Sequence, residues 1–434
     1  MTDPTKPHSA ELHFATRAVH AGTAPDPATG ARAQPIYFTN GFVFESNEQA
    51  ADIFAMRATG FSYSRGSNPT VAALERRVAS LEGAKAAVAV ASGQSAMLLV
   101  LMTLMQSGDA YVASSRLFGG SLGLMRRLEG RYDLVPQFTR GLTPDDFESA
   151  ITDKTRAIVC ESIVNPCGTI IDLEGVAAVA RRHGLPLVVD NTLASPALIR
   201  PIEHGADIVV HSTSKFLSGS GTVIGGIVCD AGRFDWRGSG RYNLINEPWP
   251  DYEGLIVSER FPETSFATAC RLFGLRDLGP GLSPMNAFLT LTGTETLPLR
   301  MERHCANAKA VAAFLRDHPK VAWVSYPSLP GQPGEALANR YSPMGAGSIF
   351  TVGFKGGEAA AQKFITGLNL ISHLVNIGEI KSLAIHPATT THRQLPAADK
   401  EAARVGPDTV RLSIGLESVE DLLADVAQSL DALD

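Results

Sequence analysis

Short apolar runs alternate with amphipathic stretches through the middle of the chain. Val71, Leu74, Val78 and Leu81 recur three and four residues apart, which puts them on one face of a helix. Asn68 is placed to cap that helix, Pro69 to open it and Gly83 to stop it. Apolar runs at 86–91, 110–113, 157–161, 186–190, 206–210 and 222–229 predict strands, with helices at about 94–105 and 173–183 between them. Strands alternating with helices predict an α/β fold with a mostly parallel central sheet covered by helices on both faces. Ligands of such sheets sit at the carboxyl ends of the strands.

On either side of this region the rhythm changes. Residues 1–68 mix Pro, Gly and aromatic residues with little periodicity beyond a helical patch near 50–56, and predict an N-terminal arm that packs on something else. Residues 69–283 form the expected main domain and 284–434 a smaller C-terminal α/β domain. Within the main domain, 231–270 carries Trp236, Tyr242, Trp249 and Tyr252 with weak periodicity and predicts a long loop of lid or interface type. In the smaller domain a helical stretch at 284–309 precedes strands at 321–326, 348–354 and 410–414 and helices at 358–366 and 419–433. Ser418 and Asp421 stand in capping-box positions at the start of the last helix.

Composition narrows the function classes. With 44% hydrophobic and 19% charged residues over 434 positions, the chain is a large, well-buried protein rather than a disordered one. The net charge of -6 is mild and no long Lys/Arg block occurs, which argues against nucleic acid or an anionic membrane and for small-molecule partners. Five scattered cysteines without a CxxC pair signal neither a disulfide framework nor a zinc site, and a reducing cytoplasm fits them. The polar N-terminus has no hydrophobic segment of signal-peptide type, and the apolar run at 97–105 is too short to span a bilayer, so a soluble protein is expected.

Candidate chemistry gathers at predicted strand ends. The run 206–215 ends on Lys215, flanked by Ser212 and Ser214 and followed by the glycine-rich 218–221 and Gly225-Gly226. A lysine so placed suits a Schiff-base site for pyridoxal phosphate (PLP), and equally an ordinary solvated lysine leaving a strand. Asp190 closes another apolar strand, where a carboxylate holds a pyridine nitrogen protonated or serves as a helix cap. Ser92-Gly93-Gln94-Ser95 joins a strand to a helix, and the free N–H groups of such a turn cradle phosphate. Tyr63 and Arg65 stand between the arm and the main domain, where an arginine fork and a phenol suit phosphate or an exposed capped turn. Arg411 interrupts an apolar strand and requires an anionic partner, either a substrate carboxylate or a buried acid. His386 and His392 lack metal-type spacing and read as structural, and no metal is expected.

Together these segments resemble the Cys/Met-metabolism family of PLP-dependent enzymes. The motifs occur in family order: Gln34-Pro35-Ile36-Tyr37, Tyr63-Ser64-Arg65 with Asn68-Pro69-Thr70, Ser92-Gly93-Gln94, Glu161 with Asn165-Pro166, Val189 to Thr192, His211 to Lys215, Ser382-Leu383 with His386-Pro387-Ala388, and Arg411-Leu412-Ser413. The resemblance implies a fold-type I, aminotransferase-like enzyme whose domain 69–283 binds PLP, assembled as a homotetramer of two active dimers. It implies Lys215 as the Schiff-base lysine, Asp190 on the pyridinium nitrogen, and Gly93, Gln94, Ser212 and Ser214 on the phosphate. Tyr63 and Arg65 would reach that phosphate from the neighbouring subunit, with Tyr63 also a candidate acid. Asn165 would contact the ring oxygen and the substrate, while Arg411, Asn376 and Ser382 would bind the substrate carboxylate.

Within the family, the run from Ala50 to Phe54 leading to Tyr63 and the inserted segment from Arg233 through Tyr252 resemble the O-acetylhomoserine sulfhydrylases. That implies γ-replacement on O-acetylhomoserine with sulfide, giving homocysteine for methionine biosynthesis. Two departures stand out. Phe118 replaces the usual tyrosine, so the ring stacks but no phenol is present, as in the succinylhomoserine sulfhydrylases, and 218–221 departs from the usual Gly-Gly-His-Gly. Succinyl-ester sulfhydrylase, methionine or cystathionine γ-lyase, and a PLP-binding sensor without turnover are the alternatives.

Overall fold

The computed structural model describes residues 12–393, 400 and 405–433. Seven strands form the larger sheet: β1 (Ala86–Val90), β2 (Ala110–Ala113), β3 (Val135–Phe138), β4 (Thr155–Glu161), β5 (Leu187–Asp190), β6 (Ile208–Ser212) and β7 (Gly226–Asp230). Their order is β1-β7-β6-β5-β4-β2-β3, and only β7 runs against the rest. Alternate residues of each central strand enter different cores. Ile158, Cys160 and Val189 face one, Val159, Val188 and Val210 the other, so both faces are buried and the strands read as continuous apolar runs. The expected α/β fold is what the chain adopts.

The Pro69–Glu82 helix shows how closely local chemistry sets the elements. Asn68 Oδ1 accepts the N–H groups of Thr70 at 2.9 Å and Val71 at 3.4 Å, and Gly83 ends the helix in the left-handed region at φ +77°. The smaller sheet holds β8 (Val321–Ser325), β9 (Ile349–Phe354), β10 (Ser372–His373), β11 (Leu383–Ile385) and β12 (Thr409–Ser413), in the order β10-β11-β12-β9-β8. It is antiparallel except where β10 meets β11.

Four readings of the sequence change. The Gly119–Tyr132 helix and β3 went unpredicted, because four glycines weaken the helical signal and Pro136 sits in a half-buried edge strand. The strand expected at 222–229 begins only at Gly226, the residues before it being irregular. Ser418 makes no capping hydrogen bond to the Val419–Asp431 helix, its hydroxyl going to Glu420 instead. The segment 231–270 is a string of short helices rather than a loop, and no part of it lines the cleft described below. It buries Trp236, Tyr242, Ile245, Val257 and Phe266 in the second core, with Trp236 stacked on Phe266 at 5.7 Å. Each such side chain contributes about 1.5–3 kcal/mol of burial, which fixes the segment as packed structure.

All five cysteines are free and buried. Among the described residues no helix is long and apolar enough to cross a membrane, and no cluster of His, Cys, Asp and Glu has metal-binding geometry.

Candidate active site

A cleft of about 470 Å³ opens at the carboxyl ends of β4, β5 and β6, and Asn376, Ile377 and Arg411, from the later part of the chain that carries the smaller sheet, also line it. Glu161, Asp190 and Ser212 are the last residues of those three strands, so parallel pairing brings them to one rim. Ser92, Gly93 and Gln94 enter from the end of β1 at the head of the Gly93–Leu104 helix. The N–H groups of Gly93 and Gln94 have no intrahelical acceptor there, and they carry the positive end of a helix dipole into the cleft. Glycine is required at this point. A Cβ on Gly93 would lie 2.7 Å from Ser212 Cβ, and one on Gly226 only 2.2 Å from the Ser92 carbonyl.

Two acids occupy the inner wall. Asp190 and Glu161 are register partners on adjacent strands, and both line the cleft. Burial raises the pKa of each above the ordinary carboxylate range, and the charge of Asp190 raises Glu161 further. Asp190 Oδ1 accepts the Thr192 N–H at 3.0 Å and the Thr192 hydroxyl at 2.5 Å, bonds that oppose its shift. Glu161 accepts the backbone N–H groups of Phe118 at 2.6 Å and Asn165 at 2.9 Å. Behind this wall lies a second buried pair. Glu82 meets His211 at 2.6 Å and accepts from Asn191 Nδ2 at 2.9 Å, while the Ser162 hydroxyl donates to Asn191 at 2.7 Å.

Two cations face the acids. Lys215 lies in the turn just after β6, where burial and then the Arg411 charge lower its pKa, and its Nζ donates to Asn376 Oδ1. Arg411, in β12 and only 3% exposed, donates from Nη1 to Asn165 Oδ1 at 3.2 Å and from Nη2 to the Asn376 carbonyl at 3.1 Å. No carboxylate pairs with it among the described residues, and burial alone lowers its pKa to about 10. Of the two partners open to Arg411, a buried acid is not found among the described residues.

The Cys/Met metabolism PLP-dependent enzyme family matches residues 15–431. This chain belongs to that family. It is 47% identical over 424 residues to an O-acetyl-L-homoserine sulfhydrylase of Leptospira meyeri, with 96% of each chain covered. It is 44% identical to a homocysteine synthase of Schizosaccharomyces pombe, over 96% of this chain and 98% of the relative. Its fold superposes on a crystal structure from Campylobacter jejuni, described as an O-acetylhomoserine (thiol)-lyase, with a TM-score of 0.94 and 35% identity, covering 97% of this chain and all of that one. That structure carries N'-pyridoxyl-lysine-5'-monophosphate. The chain is thus a PLP-dependent enzyme of the Cys/Met metabolism family, and its cofactor is PLP.

The cleft of this family member brings together most of the residues singled out above. Gly93, Gln94, Phe118, Asn165, Asp190, Ser212, Ser214, Lys215, Asn376 and Arg411 all line it. Three do not. The buried Ser382 hydroxyl donates to Glu417 at 2.8 Å and accepts the Gly415 N–H at 2.8 Å, so both its hydrogen-bonding roles are taken up beside β11. Tyr63 is half exposed, with the Arg65 guanidinium 5.5 Å from its ring centre, and neither reaches this chain's own cleft. Glu161, Thr192, Gly221, Val375 and Thr391 line the cleft without having been singled out for a role. Glu161 carried a signal as an acid four residues before Asn165 at a strand end, and Thr192 and Gly221 lay within segments already marked.

Proposed function

We propose that the chain catalyses γ-replacement on O-acetyl-L-homoserine, in which sulfide displaces acetate to give L-homocysteine. The observation that carries this reading is one cleft holding a lysine, a strand-end aspartate and a buried arginine that has no acid partner among the described residues. The names of the relatives, an O-acetyl-L-homoserine sulfhydrylase and a homocysteine synthase, supply the ester and the nucleophile.

The residues present fit PLP. Asp190 would hold the pyridinium nitrogen, Gly93 and Gln94 with the Ser212 and Ser214 hydroxyls the phosphate, Phe118 one ring face and Asn165 the ring oxygen. Lys215 would form the covalent link. When bound, PLP supplies an electron sink for charge developing on the substrate carbons. Arg411 grips the substrate α-carboxylate, orienting Cα toward Lys215. Lys215 Nζ, depressed in pKa by burial and by Arg411, takes the Cα proton and returns it. With no phenol on Phe118, Tyr63 of a second copy or Lys215 assists the leaving acetate.

We further propose a homotetramer of two active dimers, in which each arm delivers Tyr63 and Arg65 to the neighbour's phosphate site. Apolar residues on the arm support this, since Phe38 is 75% and Val43 98% exposed, as do Ile224 and Val375, exposed at the cleft mouth. A cytoplasmic location suits five free, buried cysteines. The absent phenol at Phe118 favours one second reading, the succinyl ester as substrate.

Assays of the purified enzyme with acetylhomoserine plus sulfide, succinylhomoserine plus sulfide, and methionine alone separate the readings. Homocysteine should form fastest from the acetyl ester. Faster turnover of the succinyl ester, or faster release of α-ketobutyrate from methionine, would overturn the assignment.

A further inference from the structure

Glu161 closes β4 inside the cleft, and the roles assigned so far leave it without one. Its buried side chain spends each oxygen on a different backbone donor: Oε1 accepts from Phe118 and Oε2 from Asn165. The donors lie on separate connections. Phe118 precedes the Gly119–Tyr132 helix, whose N-terminus has no side-chain cap, and Asn165 lies on the loop that follows β4. Both residues line the cleft. A buried N–H needs an acceptor, and a carboxylate satisfies two such donors at once, whereas an amide offers an acceptor at one end and a donor at the other. Glu161 is also the register partner of Asp190, so whatever it holds is held in register with that carboxylate.

We propose that Glu161 is a positioning residue, whose two oxygens tie the Phe118 turn and the Asn165 loop to the end of β4 and so set the slot between them in which the pyridoxal ring sits. The proposal rests on the assignment of Phe118 and Asn165 to ring contacts made above. It deepens that assignment by naming the group that fixes the spacing of the two contacts.

Cofactor affinity tests it independently of turnover. Glu161→Gln keeps the volume but turns an amide N–H₂ toward one of the two donors, so one tether is lost. Titration of the apoenzyme with PLP should show the dissociation constant raised about tenfold or more. The visible circular dichroism of the bound cofactor should weaken with it. Glu161→Asp keeps the carboxyl group on a shorter stem and should raise the constant less, by about threefold to tenfold, which covers the case in which the glutamine variant fails to fold. Asp425→Asn is the control. Asp425 accepts the N–H groups of Asn369, Leu370 and Ile371 and lies outside the cleft, so its loss should lower stability without changing PLP affinity.

Affinities within about twofold of the parent in both Glu161 variants, with unchanged dichroism, would overturn the proposal. An equal loss in Asp425→Asn would overturn it too, since the effect would then be general loosening. Phe118→Ala and Asn165→Ala separate the layers of the argument. If both leave PLP affinity intact, the ring-contact assignment fails and the tether with it; if both weaken it while the Glu161 variants do not, the tether alone fails.

Discussion

Arg411→Met separates two consequences of a single buried charge. Burial lowers the Arg411 pKa from 12.5 to about 10, with no acid in compensation, a cost to the charged form of about 3 kcal/mol. The folded value lies below the unfolded one, so this cost is fully present at every pH below about 10, neutral pH included. The bonds to Asn165 Oδ1 and the Asn376 carbonyl offset it, each contributing about 1.5 kcal/mol or more with a charged donor. Cost and gain nearly cancel. Methionine, of similar length and apolar, should therefore leave apoenzyme stability within about 1 kcal/mol of the parent in urea unfolding. Turnover should respond very differently. Two charge-assisted bonds to the substrate carboxylate contribute about 3–6 kcal/mol, so kcat/KM for O-acetylhomoserine with sulfide should fall roughly 10²- to 10⁴-fold. A fall in kcat/KM of less than about tenfold would refute the carboxylate assignment. A stability loss above about 3 kcal/mol would refute the cancellation, because the bonds to Asn165 and Asn376 would then outweigh the cost of burial.

Further outcomes follow from the same geometry. Lys215→Ala should abolish both the absorption of lysine-linked cofactor and turnover, and an active variant would remove Lys215 from its role. Because Arg411 helps to lower the Lys215 pKa, Arg411→Met should move the pH–rate curve for PLP capture toward higher pH; a move the other way contradicts the electrostatics. Gly93→Ala, whose Cβ would stand 2.7 Å from Ser212 Cβ, should weaken PLP binding in apoenzyme titrations, and unchanged affinity would remove Gly93 from the phosphate cradle. Asn68→Ala loses the cap on Thr70 and Val71 and the amide bonds to the Tyr37 carbonyl and Ser64 hydroxyl. Urea unfolding should show a loss of about 1–2 kcal/mol, and a change below about 0.5 kcal/mol would show that the cap is dispensable.

What the sequence made legible depends on where each signal was local. The Pro69–Glu82 helix could be read from its cap, its proline and its glycine because all three act within one turn of the helix ends. Asp190 could be read because a buried parallel strand is a continuous apolar run ended by its first polar residue, and Ser212 and Lys215 because they follow within five residues of the apolar run Ile208 to Val210. The Gly119–Tyr132 helix was illegible because its stability comes from packing Leu122, Met125 and Leu128 into a core formed by distant residues. Ser382 is the opposite case. Its place in a family motif says nothing of the partners, Glu417 and Gly415, that take up its hydroxyl. Glu161 was visible as an acid at a strand end, but its donors lie 43 residues before it and four after it, a relation that only the fold reveals.

The charges of the cleft follow an order that accounts for its ligands. At the inner wall Asp190 and Glu161 lie side by side with their pKa values raised, so they favour a cation between them and their protons. A protonated pyridine nitrogen would meet that demand, and its charge would in turn draw Asp190 back to the ionised form. At one flank the first N–H groups of the Gly93–Leu104 helix and the Ser212 hydroxyl favour a dianion such as phosphate. At the outer wall Arg411 has no acid partner among the described residues, and Lys215 is held below its ordinary pKa by burial and by that same arginine. In the proposed carboxylate assignment, a substrate carboxylate on Arg411 would weaken that repulsion and raise the proton affinity of Lys215. Neutralising the arginine on binding would then tune the lysine from a free amine toward a base able to hold the Cα proton, coupling substrate recognition to the chemical step through one pair of buried cations.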